Sequence, residues 1–128
     1  MDRQSVNLNS DFEAKIGFSR AVRLGNTIAV AGTAPIGPDG ATVGVSDMYL
    51  QTLTCLRISL EAIEPLGATA NDVIRTRIMM TDIQLWEEAA RAHGEIFRDI
   101  KPVCTFVEVK GLIRPEWLVE TEMDAVLT

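Results

Sequence analysis

Apolar and polar residues alternate most clearly near the end of the chain, in Leu118-Val119-Glu120-Thr121-Glu122-Met123-Asp124-Ala125. Side chains on a strand point alternately to its two faces. Val119, Thr121, Met123 and Ala125 therefore share a core face, and Glu120, Glu122 and Asp124 share the other. The preceding stretch, Val103-Cys104-Thr105-Phe106-Val107-Glu108-Val109, alternates in the same way. It places Val103, Thr105, Val107 and Val109 on one face, and Cys104, Phe106 and Glu108 on the opposite one. A short loop, Gly111 to Glu116, joins the two strands, and together they read as a hairpin.

The rest of the chain supplies the partners. Gln4 to Leu8 reads as a short strand, broken by Asn9-Ser10-Asp11. Phe18 to Arg23 and Thr27 to Ala31 read as two strands joined at Gly25-Asn26, both of which tolerate positive φ. In the third strand Ile28 and Val30 share one face, and Ala29 and Ala31 the other, with Gly32 adding room beside them. Pro35 to Gly44 is a loop, and Pro38-Asp39-Gly40 marks a turn. Ser46 or Asp47 caps a helix whose stripe is Tyr49, Leu53, Leu56, Leu60 and Ile63, ended by Pro65 and Gly67. Val73 to Thr81 is a strand. Asp82 caps a second helix, Ile83 to Arg98, with stripes at Leu85, Ala89, Ala92 and Ile96 and at Trp86, Ala90, His93 and Phe97. Lys101-Pro102 ends it.

The order β-β-β-α-β-α-β-β predicts one α+β domain over residues 1–128, a mixed sheet with two helices packed on one face. Val107, Val109, Val119 and Met123 are expected under the helices. Cys104, Phe106, Glu120 and Glu122 are expected on the uncovered face. That face, bearing Phe106, Ala29 and Ala31, is expected to meet another copy of the chain.

Composition narrows the function. Charged residues make up 23% and hydrophobic residues 47%, as in a folded globular protein. The mean hydropathy of +0.14 is high for a chain of 128 residues, and surplus apolar surface in a small protein commonly goes into subunit contacts. The net charge of −6 and the absence of a dense Lys/Arg run argue against nucleic acid and anionic membranes as partners. Met1-Asp2-Arg3-Gln4 is polar, no apolar run suffices to span a membrane, and Cys55 and Cys104 read as free thiols. A cytoplasmic protein is expected. One histidine and two separated cysteines make no metal-ligand cluster, and the glycines have no phosphate-loop spacing. His93, Trp86 and Trp117 read as packing residues.

Ile16-Gly17-Phe18-Ser19-Arg20-Ala21-Val22, Ala31-Gly32-Thr33-Ala34-Pro35, Gln51, Asp72-Val73-Ile74-Arg75, Thr81-Asp82, Phe97, Pro102, Thr105, Val107, Val109 and Val119 to Ala125 occur in an order and spacing that resembles the RidA (YjgF) family of reactive-intermediate deaminases. The resemblance implies a chorismate-mutase-like fold, a homotrimer and small-molecule clefts between subunits. It implies hydrolysis of reactive imines and enamines, such as 2-aminoacrylate, to 2-keto acids and ammonia, with no metal or organic cofactor.

The implied site residues carry over unevenly. The family's water-placing glutamate matches Glu120, and its pocket glycine matches Gly32. Its pocket tyrosine matches Phe18 and its adjacent serine matches Ala31, so two hydroxyls are missing. The arginine that grips the substrate carboxylate matches Cys104, in Pro102-Val103-Cys104, as in an arginine-lacking branch. Losing a charge-assisted hydrogen bond of about 1.5–3 kcal/mol weakens a carboxylate substrate at least about tenfold. Thr105 and Phe106 are expected to line the cleft.

Cys104 reads as an inert filler, a pocket thiol or a nucleophile, and the nucleophile needs a base that the predicted arrangement keeps on the opposite face. Arg20 either replaces the missing guanidinium or serves as a surface or intersubunit cation. Arg114 is a candidate of the same kind. The sequence thus supports an imine or enamine hydrolase on a substrate other than 2-aminoacrylate, with a non-catalytic metabolite-binding trimer as the alternative. A ribonuclease, an activity also attached to this family, fits the acidic balance poorly.

Overall fold

A computed structural model describes residues 2–128. The elements run β1 (Arg3–Val6), α1 (Asp11–Ile16), β2 (Ala21–Leu24), β3 (Thr27–Thr33), α2 (Met48–Ile63), β4 (Val73–Met80), α3 (Trp86–Phe97), β5 (Val103–Glu108) and β6 (Val119–Val126). Six strands form one sheet in the order β1-β2-β3-β6-β4-β5. Neighbours are antiparallel except β4 and β5, which are parallel. Helices α2 and α3 pack together and cover one face. The expected α+β domain is present.

The alternation of β6 decides which face that is. Val119, Thr121, Met123 and Ala125 are fully buried under the helices, while Glu120, Glu122 and Asp124 are half-buried on the open face. Ile28 and Val30 of β3 and Thr76, Ile78 and Met80 of β4 join the core. Helix α2 starts at Asp47, whose carboxylate accepts from the Leu50 amide at 2.9 Å. Its core face is Met48, Thr52, Cys55, Leu56, Ser59, Ala62 and Ile63. Tyr49, expected in that stripe, instead lies half-buried and donates to Glu95 at 2.6 Å.

The expected hairpin does not form. β5 and β6 are separated by β4, which pairs with both. The ten residues from Val109 to Leu118 are long enough to carry the chain past the end of β4. The faces of β5 are also reversed. Thr76 and Ile78, both core residues, pair with Cys104 and Phe106, so these two turn toward the helices. Val103 and Val107 are exposed on the open face, and Val109 lies beyond the strand's end. β5 is an edge strand, so neither of its faces is fully covered and its own alternation does not reveal the buried side.

Two smaller differences are local. The break at Asn9-Ser10-Asp11 opens a short helix, α1: Ser10 accepts from the Glu13 amide, and Gly17 closes the turn at φ 89°. The second long helix begins at Trp86, after a 3₁₀ turn over Ile83–Leu85 capped by Asp82. Trp86 stands 49% exposed, so it is not a packing residue, whereas Trp117 is buried.

Candidate functional site

Glu120 is the centre of the candidate site. Its strand position turns it to the open face, paired with Met79. Among the described residues no hydrogen bond or ion pair engages its carboxylate. Burial pushes the Glu120 carboxyl above its ordinary pKa; Arg20 pulls it back and Glu122 raises it further. Desolvation by itself disfavours the charged form of a carboxylate.

Two features fix Glu120 in place. Gln51, fully buried, accepts from the Leu118 amide at 2.8 Å and donates to the carbonyls of Gly44 and Glu116 at 3.1 and 3.0 Å. One satisfied amide thus ties α2 to the start of β6, two residues before Glu120. The second feature is Gly32, where the register of β3 on β6 shifts between Val30 and Thr33. A Cβ on Gly32 would lie 3.2 Å from Glu120 Oε2. Only glycine leaves that space to the carboxylate.

Arg20 holds the shifted segment. Its Nη1 donates to Thr33 Oγ1 at 3.1 Å and its Nη2 to the Gly32 carbonyl at 3.0 Å. Thr33 in turn donates to the Ala31 carbonyl at 2.8 Å and accepts from Ser59 at 3.1 Å. Arg20 is 7% exposed. Burial lowers the Arg20 pKa, opposed by the charges of Glu13 and Glu120. This corrects the reading of Arg20 as a surface cation. It is a buried strut whose charge favours the ionised form of Glu120.

The remaining candidates divide. Gly32 lies beside Glu120, Ala31 precedes it in the shifted segment of β3, and the Phe18 ring stands 5.4 Å from the Arg20 guanidinium. A hollow of about 270 Å³ beside Phe18 is lined by Asn7, Asn9, Ser10, Asp11, Glu13 and Ala14, without Glu120. Thr105 is on the open face but two strands away, paired with Arg77 of β4. Arg114 donates to the Gly40 carbonyl at 2.9 Å and lies over Phe12 and Trp117. Phe106 packs against the core, its ring edge-on to His93 at 6.4 Å, so it is not on the open face. Cys104 turns to the same side, with its thiol beside Thr76.

Residues 8–127 match the sequence profile of a family described as endoribonuclease L-PSP. The chain belongs to the YjgF/L-PSP family. A Mycobacterium tuberculosis member of the YjgF/YER057c/UK114 family, known from its crystal structure, is 43% identical, with a TM-score of 0.90 over 98% of this chain and 100% of that one. An uncharacterized protein of Streptomyces coelicolor is 36% identical over 94% of this chain and 89% of its own. A RutC family protein of Pyrococcus abyssi is 30% identical over 85% and 84%.

Sequence reasoning about this YjgF/L-PSP chain missed Glu13, Thr33 and Ser59, which support Arg20. One signal was available. Ser10-Asp11-Phe12-Glu13 has the spacing of a helix-capping box, and Glu13 indeed accepts from Ser10 and from the Leu8 amide, both at 2.9 Å.

Proposed function

We propose that the protein hydrolyses small reactive imines and enamines to a carbonyl product and ammonia, at a cleft between copies of a homotrimer. The observation that carries the reading is the half-buried, unengaged Glu120 carboxylate facing the space kept open by Gly32. A carboxyl with a raised pKa serves as acid and base in turn. As the acid, it gives a proton to the enamine carbon, forming an iminium ion. As the carboxylate, it takes a proton from water while the water oxygen bonds to the iminium carbon. Proton transfer to nitrogen then lets ammonia leave and the carbonyl form.

The substrate is one without an essential carboxylate. Cys104 supplies no cation, and each outer nitrogen of Arg20 already donates one bond within the chain. Among the described residues Arg20 is the one arginine whose charge acts on Glu120. The exposed Val103 and Val107 on an edge strand support assembly through the open face. The test is ammonia release from freshly generated imines, with sedimentation to establish the trimer. Failure to accelerate any imine over buffer overturns the reading.

A second reading has its own support. Phe18, Ala31 and Cys104 stand where the family carries a tyrosine, a serine and an arginine, which suits a trimer that binds a metabolite without turning it over. Thermal stabilisation by a ligand in the absence of product distinguishes it. The ribonuclease reading is weaker. The chain carries a net charge of −6, and its one histidine is bonded to Thr76 between sheet and helix.

A further inference from the structure

Two threonines face each other across the middle of the sheet and are bonded very differently. Thr33 of β3 pairs with Thr121 of β6, and both are fully buried. Thr121 Oγ1 has no hydrogen-bond partner among the described residues. Thr33 Oγ1 donates to the Ala31 carbonyl at 2.8 Å and accepts from Arg20 Nη1 and from Ser59, each at 3.1 Å. A hydroxyl has one proton and two lone pairs, so the Thr33 hydroxyl is saturated and cannot turn. It stands at the end of a bulge: between Val30 and Thr33 on β3, Ala31 and Gly32 oppose Glu122 alone on β6.

We propose that Thr33 and Ser59 are positioning residues for Glu120: they lock the bulge in the shape that leaves the carboxylate its place against Gly32. This role rests on the reading of Glu120 as the reacting group. Each carbonyl of the bulge has its own tether. Thr33 holds the Ala31 carbonyl, and Arg20 Nη2 donates to the Gly32 carbonyl at 3.0 Å. The Arg20 side chain is held by two bonds, one of them to Thr33, since its Nε has no partner among the described residues. Ser59 comes from α2, and its bond to Thr33 fastens the network to that helix. Gly32 is where the hold reaches the site, because its Cβ position lies 3.2 Å from Glu120 Oε2.

Stability alone does not account for these hydroxyls. Burying a hydroxyl costs free energy that a hydrogen bond only offsets, and apolar groups of like shape in place of both partners are nearly neutral. Thr121 shows that the same face accepts a threonine whose hydroxyl is unbonded. Valine keeps the branched shape of threonine, so Thr121→Val removes one buried hydroxyl and no bond. Thr33→Val removes three bonds and frees the Arg20 guanidinium on one side. The charged and titratable groups that act on Glu120 are Arg20, Glu122 and, through the sheet, Cys55 of α2. Of these only Arg20 is bonded to Thr33.

NMR titration of the Glu120 carboxyl, together with the amide signal of Gly32, tests the role without a substrate. Arg20 pulls the Glu120 pKa down. Thr33→Val loosens Arg20, so it should move the Glu120 titration to higher pH and split or broaden the Gly32 signal. Ser59→Ala should move both in the same direction by less. Thr33→Ser keeps the hydroxyl, and Thr121→Val removes an unbonded one; both should leave the parent titration and signal. With a freshly generated imine, Thr33→Val should lower kcat about tenfold or more while KM stays at the parent value, and Thr33→Ser should restore kcat. Should Thr33→Val unfold, Ser59→Ala decides in its place. A parent titration and a parent Gly32 signal in a folded Thr33→Val or Ser59→Ala variant would overturn the proposal, as would an equal shift in Thr121→Val. A parent protein that hydrolyses no imine counts against Glu120 as the reacting group, and the NMR comparison still decides whether Thr33 and Ser59 place its carboxylate.

Discussion

Glu120 Oε2 stands 3.2 Å from where a Cβ of Gly32 would lie. The carboxylate is at the end of a flexible side chain, so an added methyl displaces it without moving the backbone. Gly32→Ala should therefore fold, with a change in melting temperature of no more than about 4–8 °C for about 1 kcal/mol. Its ammonia release should fall by about tenfold or more, because a displaced catalytic group loses its alignment. Thermal melts and steady-state kinetics on the same preparation separate the two effects.

Glu120 links activity to stability with a definite sign. Burial raises its folded-state pKa above the unfolded value. Its contribution to folding is then fully present below the unfolded pKa and is lost as pH rises through the folded pKa. Glu120→Gln stays neutral throughout. It should melt above the parent at about pH 7 and close to it at about pH 3, below the ordinary glutamate pKa. A variant that is more stable but inactive is the expected outcome.

Arg20 carries two predictions in one residue. Arg20→Met leaves the Gly32 carbonyl without its donor and Thr33 Oγ1 with Ser59 alone, at a cost of about 1–3 kcal/mol for a buried group left unsatisfied. It also removes the charge that pulls the Glu120 pKa down. The acid limb of the pH–rate profile should move to higher pH. Arg20→Lys restores the charge but not both bonds, so it should recover the profile more fully than the stability.

The sequence was a good guide where one face of a strand is sealed and the other wet. β6 is such a strand, so Val119 and Met123 were placed under the helices and Glu120 outside them. β5 is an edge strand, and its apolar residues, Val103, Phe106 and Val107, occupy both faces, which hid the direction of Cys104. The hairpin expectation failed because adjacency in sequence favours pairing, whereas β4 lies between the two strands. The role of Arg20 was not legible either. Its partners Thr33, Gly32 and Glu13 come from separate elements, and only folding shows that they meet.

His93 gives a second pH dependence. Burial lowers its folded-state pKa, so the stability it contributes is present above the unfolded pKa of about 6.5 and is lost as pH falls through the folded value. The parent should lose melting temperature on acidification across that window. His93→Gln, which does not titrate, should lose less, and parallel melts from neutral to mildly acid pH will show the difference.

The central claim is that Glu120 drives hydrolysis of imines that lack a carboxylate. Its most direct test measures ammonia release from a freshly generated uncharged imine and from 2-iminopropionate, with the parent and Glu120→Gln side by side. The account predicts clear acceleration of the uncharged imine, weaker acceleration of 2-iminopropionate, and loss of both in Glu120→Gln. No acceleration over buffer for either substrate, or equal rates in parent and variant, would contradict it.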